Sequence, residues 1–502
     1  MIFRKILLIF TFAALSSVFY VGYSASLGRI GFPLDDAWIH QTYARNVSQG
    51  YGWSFEAGKL SGGATAPLWT LLISFGYWLK IPPLFWAFML GVVFLASTSV
   101  LVVRCFEEID PKISWLGLYF LIEWHFSWAS VSGMETILAV FLVIFVFYLL
   151  KMYPNRYLLS LCLAASVWVR PDLVTLFLPV LVWLLSRRAG FGFWQPKIFV
   201  IFLLPALSII AYLIFNQWVS GAFFPTTFYA KQAEYAEMRK FPFLYRFWQQ
   251  FSIALIGSGV LLLGGFFYQI YHRWIAKDWE ALSWVAWYLI IVGVYAARLP
   301  VTYQHGRYMI PAIVVYYLFG LQGSVILYRW LVKKRRWGWI LARSGLLSWL
   351  VTSLAFWWFG GSAYGRDVML IETQMVDIAK WAEKNLPSNS RLAVHDIGAI
   401  GYFTTHELID LAGLINPEVI PFIRDENKLA EYLDRKDVDY LICFPEWYPR
   451  LTKGLQIVHQ ADSRVVREYD ELPMTIFRWN LNSFISLKEE GYFDAILYVQ
   501  GF

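Results

Sequence analysis

The stretch GFPLDDAWIHQTYARNVSQG, residues 31–50, follows an apolar run of about twenty residues and places two adjacent carboxylates, Asp35 and Asp36, at the head of a short helix. Carboxylates are costly near a bilayer and are functional there by default. Pro33 reads as a helix start, acids favour the positive end of a helix, and Gly50 closes it. Helical spacing aligns Asp36 with His40 and Tyr43, and Asp35 with Ile39 and Thr42, so the two carboxylates face different surroundings. Such a pair can divide labour: one carboxylate stays ionised as a hydrogen-bond acceptor or cation ligand, while the other acts as a base or positions a substrate hydroxyl. The plainer alternative is a helix cap with a solvated neighbour.

The chain around this loop is built for lipid. Of 502 residues, 58% are hydrophobic and 15% charged, with a mean hydropathy of +0.51. That is too apolar for one soluble core, since such cores stop growing near about 250 to 300 residues. Against a need for about 20 apolar residues per crossing, candidate spans fall at 6–26, 84–103, 113–131, 136–151, 157–170, 172–186, 198–216, 251–271, 281–297, 308–330 and 338–360, about eleven in all. Arg170-Pro171-Asp172 reads as a turn at a membrane surface. The segment 67–79, PLWTLLISFGYWL, is too short to cross and reads as a helix lying on the outer surface. Arg4, Lys5, the apolar run and Ser24-Ala25-Ser26 resemble a signal peptide, but an uncleaved anchor is expected.

Basic residues set the threading. Arg4 and Lys5, Arg104 and Lys112, Lys151 and Arg156, Arg187, Arg188 and Lys197, Arg273 and Lys277, then Lys333 to Arg336 fall in alternate loops. This is the positive-inside pattern, with a cytoplasmic N-terminus in the inner (plasma) membrane. These loops account for the net charge of +7, so no nucleic-acid partner is invoked, and topology explains Lys333 to Arg336 better than a specific lipid contact does. Cys105, Cys162 and Cys443 lie far apart and suggest neither a disulfide framework nor a metal cluster. No repeat is visible, and Walker A, GxGxxG, HExxH, CxxC and GxSxG patterns are lacking, which favours a donor other than a bound nucleotide.

With this threading, the polar motifs collect outside: Asp35-Asp36, Ser132 to Thr136, Arg170 to Asp172, Phe224 to Lys231, and Tyr303 to Tyr308. Glu135 opens a span at the outer lip, where an acid also suits the helix dipole. Arg170, Lys231, His305 and Arg307 form a complementary basic set, with Tyr229 and Tyr303 beside them as substrate-positioning candidates along with His40 and Tyr43. Arg and Lys donate charge-assisted hydrogen bonds to phosphate oxygens, although each alone also suits snorkelling to the interface. Taken together, the acids and bases point to a phosphate-bearing substrate held near carboxylates. The 26 tryptophans fit interfacial belts.

After about Gly361 charges become frequent, so residues 1–361 read as a membrane domain with a first outer loop at 28–83, and residues 362–502 as an extracytoplasmic α/β domain. Arg366 to Leu386 has helical spacing, stopped by Pro387. Runs at 391–395, 408–411 and 440–444 read as strands, with a helix near 428–435. His395 to Gly401 is a strand end entering a small-residue turn, either structural or acceptor-binding. His406 and Asp410 lack a metal spacing.

The stretch Asp35-Asp36-Ala37-Trp38-Ile39 with Tyr43-Ala44-Arg45-Asn46, then Gly50 to Phe55, then Gly62 to Trp69, resembles integral-membrane glycosyltransferases of the GT-C superfamily. The likeness is to polyprenyl-phosphate-sugar-dependent bacterial enzymes of the arabinofuranosyl- and mannosyltransferase type. Ser132-Gly133-Met134-Glu135-Thr136, Arg170-Pro171-Asp172, Phe224 to Lys231, Arg307-Tyr308 with Pro311, Asp396 to Tyr402 and Ile409 to Leu414 look like later motifs of the group. Thr226 stands where relatives often carry Asn, and Met134 where they carry Leu.

The resemblance implies a polytopic, mainly α fold, a sugar donor on a lipid phosphate at the outer face, and transfer with inversion to a hydroxyl of a glycan, lipid or protein acceptor. It also implies a first-loop aspartate as general base and basic residues on the leaving phosphate, and leaves open a hexosyl or pentosyl substrate. Asp36 is the expected base with Asp35 as neighbour, and Glu135 an acceptor- or cation-orienting group. A divalent cation, Mg or Mn, serves some relatives and is dispensable in others. A transporter or flippase of lipid-linked sugars would also want outer basic residues, but it should show mid-span charge or repeat symmetry. A lipid-oligosaccharide ligase should carry its main outer loop late in the chain.

Overall fold

The computed structural model describes residues 2–186, 196–333, 336–467 and 472–479. Of the basic loop residues, Arg187, Arg188, Lys334 and Arg335 lie outside the described residues. The chain is mainly helical and forms two compact units. One comprises Met1–Gly22, Ala87–Tyr212 and Met238–Ala363, the other Tyr23–Trp86, Leu213–Glu237 and Tyr364–Phe502.

Among the described residues, six helices are long and apolar enough to cross a bilayer: Phe3–Ser26, Pro83–Ile109, Ile201–Ser220, Trp279–Arg298, Ile310–Val332 and Trp337–Asn385. The pair Phe243–Leu255 and Gly257–Ile275, bent by 99°, makes a seventh if it is one broken span. All seven coincide with expected spans, and the protein is a multi-pass membrane protein.

The other four expected spans are shorter or broken. Segment 113–131 divides into a 3-10 helix, Pro111–Leu121, and a short α-helix, Trp124–Ser130, whose first turn is capped by the Glu123 side chain accepting from the Phe126 N–H. Thr136–Lys151 and Arg156–Val169 have 16 and 14 residues. After Val169 the helix breaks because Pro171 offers no N–H and holds Arg170 in extended backbone, φ −154°. Helix length thus supports six or seven crossings where hydropathy suggests about eleven.

In the first unit, helix Ile310–Val332 is buried continuously from Ile310 to Gly323. Its Tyr316 packs on Phe266 at 4.8 Å and Tyr317 meets Phe126 edge-on at 5.8 Å. Helix Pro83–Ile109 approaches Trp124–Ser130 so closely that a Cβ on Gly91 would lie 1.7 Å from the Ser130 carbonyl oxygen. That neighbour is backbone and cannot swing aside. Gly91→Ala is therefore expected to lower stability by about 1–3 kcal/mol, the cost of overpacking a tight core, read as a reduced thermal midpoint in detergent.

The second unit carries a five-stranded sheet of order β2-β1-β3-β5-β4, built from β1 Arg391–Val394, β2 Glu407–Asp410, β3 Tyr440–Cys443, β4 Gln456–Gln460 and β5 Thr475–Arg478. Strands β2, β1 and β3 are parallel, whereas β5 pairs antiparallel with β3 and β4. The three expected strands are β1 to β3, and the expected helix near 428–435 is Glu426–Arg435. Helices Asp377–Asn385, Ile397–Phe403 and Glu426–Arg435 complete the α/β pattern. Its core is apolar, around Ala393, Ile409, Leu429, Leu433, Leu441 and Phe477. The same unit holds the first-loop helices Asp35–Ser48 and Pro67–Trp78, the latter 12 residues and too short to span. Cys105, Cys162 and Cys443 are free thiols.

Candidate functional site

The expected site residues fall into two groups, one in each unit. In the second unit, Leu34 takes the extended cap position of helix Asp35–Ser48 and makes no side-chain cap, so the two aspartates are the first helical residues and not its cap. Their side chains diverge. Asp35 is buried, and both of its oxygens accept backbone N–H donors from the start of helix Ile397–Phe403: Gly398 to Oδ2 and Ala399 to Oδ1, each at 2.7 Å. Asp36 stays partly exposed, with its Oδ2 3.4 Å from Lys231 Nζ.

Lys231 sits on helix Thr226–Glu234, which is anchored by Thr226 Oγ1 donating to the Leu414 carbonyl and by Thr227 Oγ1 donating to the Gly63 carbonyl at 3.0 Å. Thr226 is therefore a structural tether. One turn after Lys231, Glu234 reaches His395 Nε2 at 3.4 Å, and His395 Nδ1 lies 2.6 Å from the Tyr448 hydroxyl.

His40 and Tyr43 point inward. His40 Nδ1 pairs with Thr70 Oγ1 at 2.8 Å; Tyr43 OH pairs with Ser61 Oγ at 2.6 Å and accepts the Gly63 N–H at 2.9 Å. Both side chains are buried and brace the loop that holds the aspartates. Tyr229 is exposed at the surface of its helix, beside Phe228 at 5.3 Å.

Charge is dense here. Burial, followed by the Asp396 charge, raises Asp35 above the usual carboxylate range, against the pull of its two N–H donors. Burial likewise raises Asp396, with Glu234, Asp36 and Asp410 adding to it and His395 opposing. Asp410 is pushed up to about 6 by burial, although it accepts the N–H groups of Ile415 and Ala412 at 2.7 and 2.8 Å. Burial alone would lower His395, but the Glu234 hydrogen bond and the surrounding acids raise it to about 9, leaving an imidazolium at neutral pH.

In the first unit, Arg170 is buried and its guanidinium grips Asp172 through two 3.1 Å bonds while donating to Tyr295 OH at 2.6 Å. Its Nη1 lies 3.8 Å from the Glu135 carboxylate. Arg170 is thus engaged by protein groups, and Glu135 is buried at the start of helix Thr136–Lys151. Tyr303, His305 and Arg307 come from one tight segment in which Gln304, His305 and Gly306 take φ of 54°, 58° and 64°. Two successive non-glycine residues in that region store strain, a feature that clusters at functional sites. The His305 ring meets Trp124 and Trp128 edge-on at 5.5 and 5.1 Å. Buried Arg307 lies over the Tyr308 ring at 5.0 Å and donates to its hydroxyl at 3.1 Å. Tyr303 stands perpendicular to Tyr308 at 6.5 Å.

The sequence motifs leave Asp396 within a turn that is either structural or acceptor-binding, and assign no role to Glu234 or to a buried pair in the first unit, where His125 Nδ1 and Tyr317 OH both bond Glu123 Oε1 at 2.8 and 3.0 Å. An acid and a histidine two residues apart inside an expected span were the available signal for that pair. Among the described residues, no group of three or more His, Cys, Asp or Glu side chains is placed to hold a metal ion.

The family described as a domain of unknown function (DUF8728) matches residues 367–484, which takes in the whole sheet. No curated protein matches the chain by sequence. Among solved structures, the chain is similar to ArnT from Cupriavidus metallidurans bound to undecaprenyl phosphate, at 13% identity and a TM-score of 0.59, covering 94% of this chain and 98% of that one. The apo form of the same protein gives 13% identity, the same coverage and a TM-score of 0.57. The chain therefore shares the fold of ArnT over nearly its whole length.

Proposed function

We propose that this protein is a glycosyltransferase that moves a sugar from a polyprenyl-phosphate donor to an acceptor hydroxyl at the outer face of the inner membrane, with inversion and with Asp36 as general base. The observation that carries the proposal is the division between the two aspartates. Asp35 spends both oxygens on backbone N–H groups, while Asp36 is partly exposed with a lysine at 3.4 Å. Similarity to a protein with undecaprenyl phosphate bound supports the donor class.

In the transfer, Asp36 takes the acceptor hydroxyl proton as that oxygen bonds to the anomeric carbon. The bond from that carbon to the phosphate oxygen breaks, and its electron pair leaves with the phosphate. The departing polyprenyl phosphate is a stable anion and needs no proton. Lys231, beside Asp36, is the basic residue proposed to hold it. Arg170 serves by fixing Asp172, Tyr295 and the neighbourhood of Glu135. No step runs through a metal ion. The membrane part to residue 361 and the outer domain from 362 belong to the same proposal.

The test is direct: protein reconstituted in liposomes is given labelled polyprenyl-phosphate pentoses and hexoses, and products are assayed for a new glycosidic bond and its anomeric configuration. An inverted product from one donor is expected. Labelled lipid crossing the bilayer with no new bond would overturn the proposal in favour of a flippase.

A further inference from the structure

We propose that the acceptor is a carbohydrate and that Asp396 binds it, accepting a hydrogen bond from a hydroxyl next to the one that Asp36 deprotonates. This rests on the glycosyltransferase proposal and gives the domain of unknown function a part in the reaction.

Three observations meet at one place. The first is topological. Strand order β2-β1-β3 makes the chain leave β1 toward β2 on one side and return to β3 on the other, and such switch points open a crevice at the carboxyl ends of parallel strands. His395 and Asp396 follow β1 directly, and Trp447 and Tyr448 follow β3, with the His395 ring 4.8 Å from Trp447 and 5.8 Å from Tyr448.

The second is an unanswered oxygen. Asp396 Oδ2 is fully covered and has no hydrogen-bond partner, although the residue keeps some exposure. A buried acceptor without a donor is costly, and proteins leave few of them unless a ligand answers. The neighbouring acids are all occupied: Asp35 by Gly398 and Ala399, Asp410 by Ala412 and Ile415, Glu234 by His395. Of these four, Asp396 is the one with a fully covered carboxylate oxygen that no donor answers.

The third is electrostatic. Asp35, the residue before Asp36, accepts the N–H groups of Gly398 and Ala399, two and three residues after Asp396, so the proposed base and Asp396 are carried by helix ends in direct contact, and the Asp36 charge helps to raise Asp396. What answers this oxygen must be a donor. A neutral hydroxyl satisfies the oxygen without adding charge, and a sugar offers a second hydroxyl beside the first. Partly buried Trp447 supplies a ring of the kind that packs on sugar faces.

The experiment measures binding in the full chain, held in lipid nanodiscs, by saturation-transfer NMR. Probes are methyl hexopyranosides, methyl pentofuranosides and their monodeoxy forms. Wild-type protein is expected to bind at least one glycoside saturably, and Asp396→Asn to weaken it about tenfold, the worth of one hydrogen bond to a charged acceptor. The hydroxyl whose removal weakens wild-type binding should cost nothing further in Asp396→Asn. Asp396→Glu, which keeps a carboxylate, should retain that hydroxyl dependence even if the Asn variant is unstable. Absence of saturable glycoside binding by wild type, equal binding by Asp396→Asn, or loss of the hydroxyl dependence in Asp396→Glu would each overturn the inference. Binding of undecaprenyl phosphate by the same nanodiscs is scored separately, so a failed donor assignment and a failed acceptor assignment give different results.

Discussion

Asp36→Asn is expected to slow sugar transfer by roughly 10²- to 10⁴-fold, the range that a positioned general base contributes. The amide keeps the size of the side chain and an oxygen that can still accept from Lys231, 3.4 Å away in the wild type. What it loses is the capacity to take a proton. The thermal midpoint should hardly move, because Asp36 is partly exposed and the amide keeps its size. Donor binding, followed as undecaprenyl phosphate uptake by the reconstituted protein, should also hold. The contrast with Asp35→Asn is informative. There one carboxylate oxygen becomes an amide donor facing a backbone N–H, so the loss should appear first as reduced stability and only through it as reduced rate. An Asp36→Asn variant with full activity would remove the base assignment outright.

The sequence alone carries a good part of this picture. Long apolar runs with basic loops identify the spanning helices, because lipid accepts few alternatives to a helix of that length. It reads the turn at Arg170-Pro171 between 157–170 and 172–186, but not the break of 113–131 at Glu123, since a hydropathy window averages over the residue that ends a helix. The alternation of β1, β2 and β3 with helices is legible from short apolar runs. Strands β4 and β5 are not, since QIVHQ is largely exposed and TIFR pairs antiparallel, outside the alternation of strands with helices.

At the site, the sequence singles out Asp35 and Asp36 but cannot separate them, because their difference is made by Gly398 and Ala399, more than 360 positions away. Helical spacing groups Asp36 with His40 and Tyr43, yet it cannot say that the latter two turn toward Thr70 and Ser61. Arg170 looks like a phosphate ligand from its residue type alone; only its geometry places it on Asp172 and Tyr295. Residue type carries the inventory of a site, and long-range contacts decide which members are already spoken for.

Those long-range contacts make Gly398 the second sensitive position. A Cβ there would lie 2.1 Å from the Asp35 carbonyl oxygen and 2.6 Å from Asp35 Oδ2. One of these atoms is backbone and the other is the acceptor of the Gly398 N–H, so neither can yield without breaking the contact between helix Ile397–Phe403 and the start of helix Asp35–Ser48. Gly398→Ala must therefore separate the two elements by an ångström or more. Asp36 is the next residue along and moves with Asp35. Misplacing a catalytic group by about 1 Å costs on the order of 10²-fold, so transfer should fall by about that factor. Unlike Asp36→Asn, this variant should also lower the thermal midpoint, since Asp35 would be left buried without the donors that answer its charge. Pairing Gly398→Ala with Asp35→Asn tests the coupling: if both act by breaking the same contact, the double variant should be little worse than the poorer single one, whereas additive losses would mean that Gly398 acts by another route.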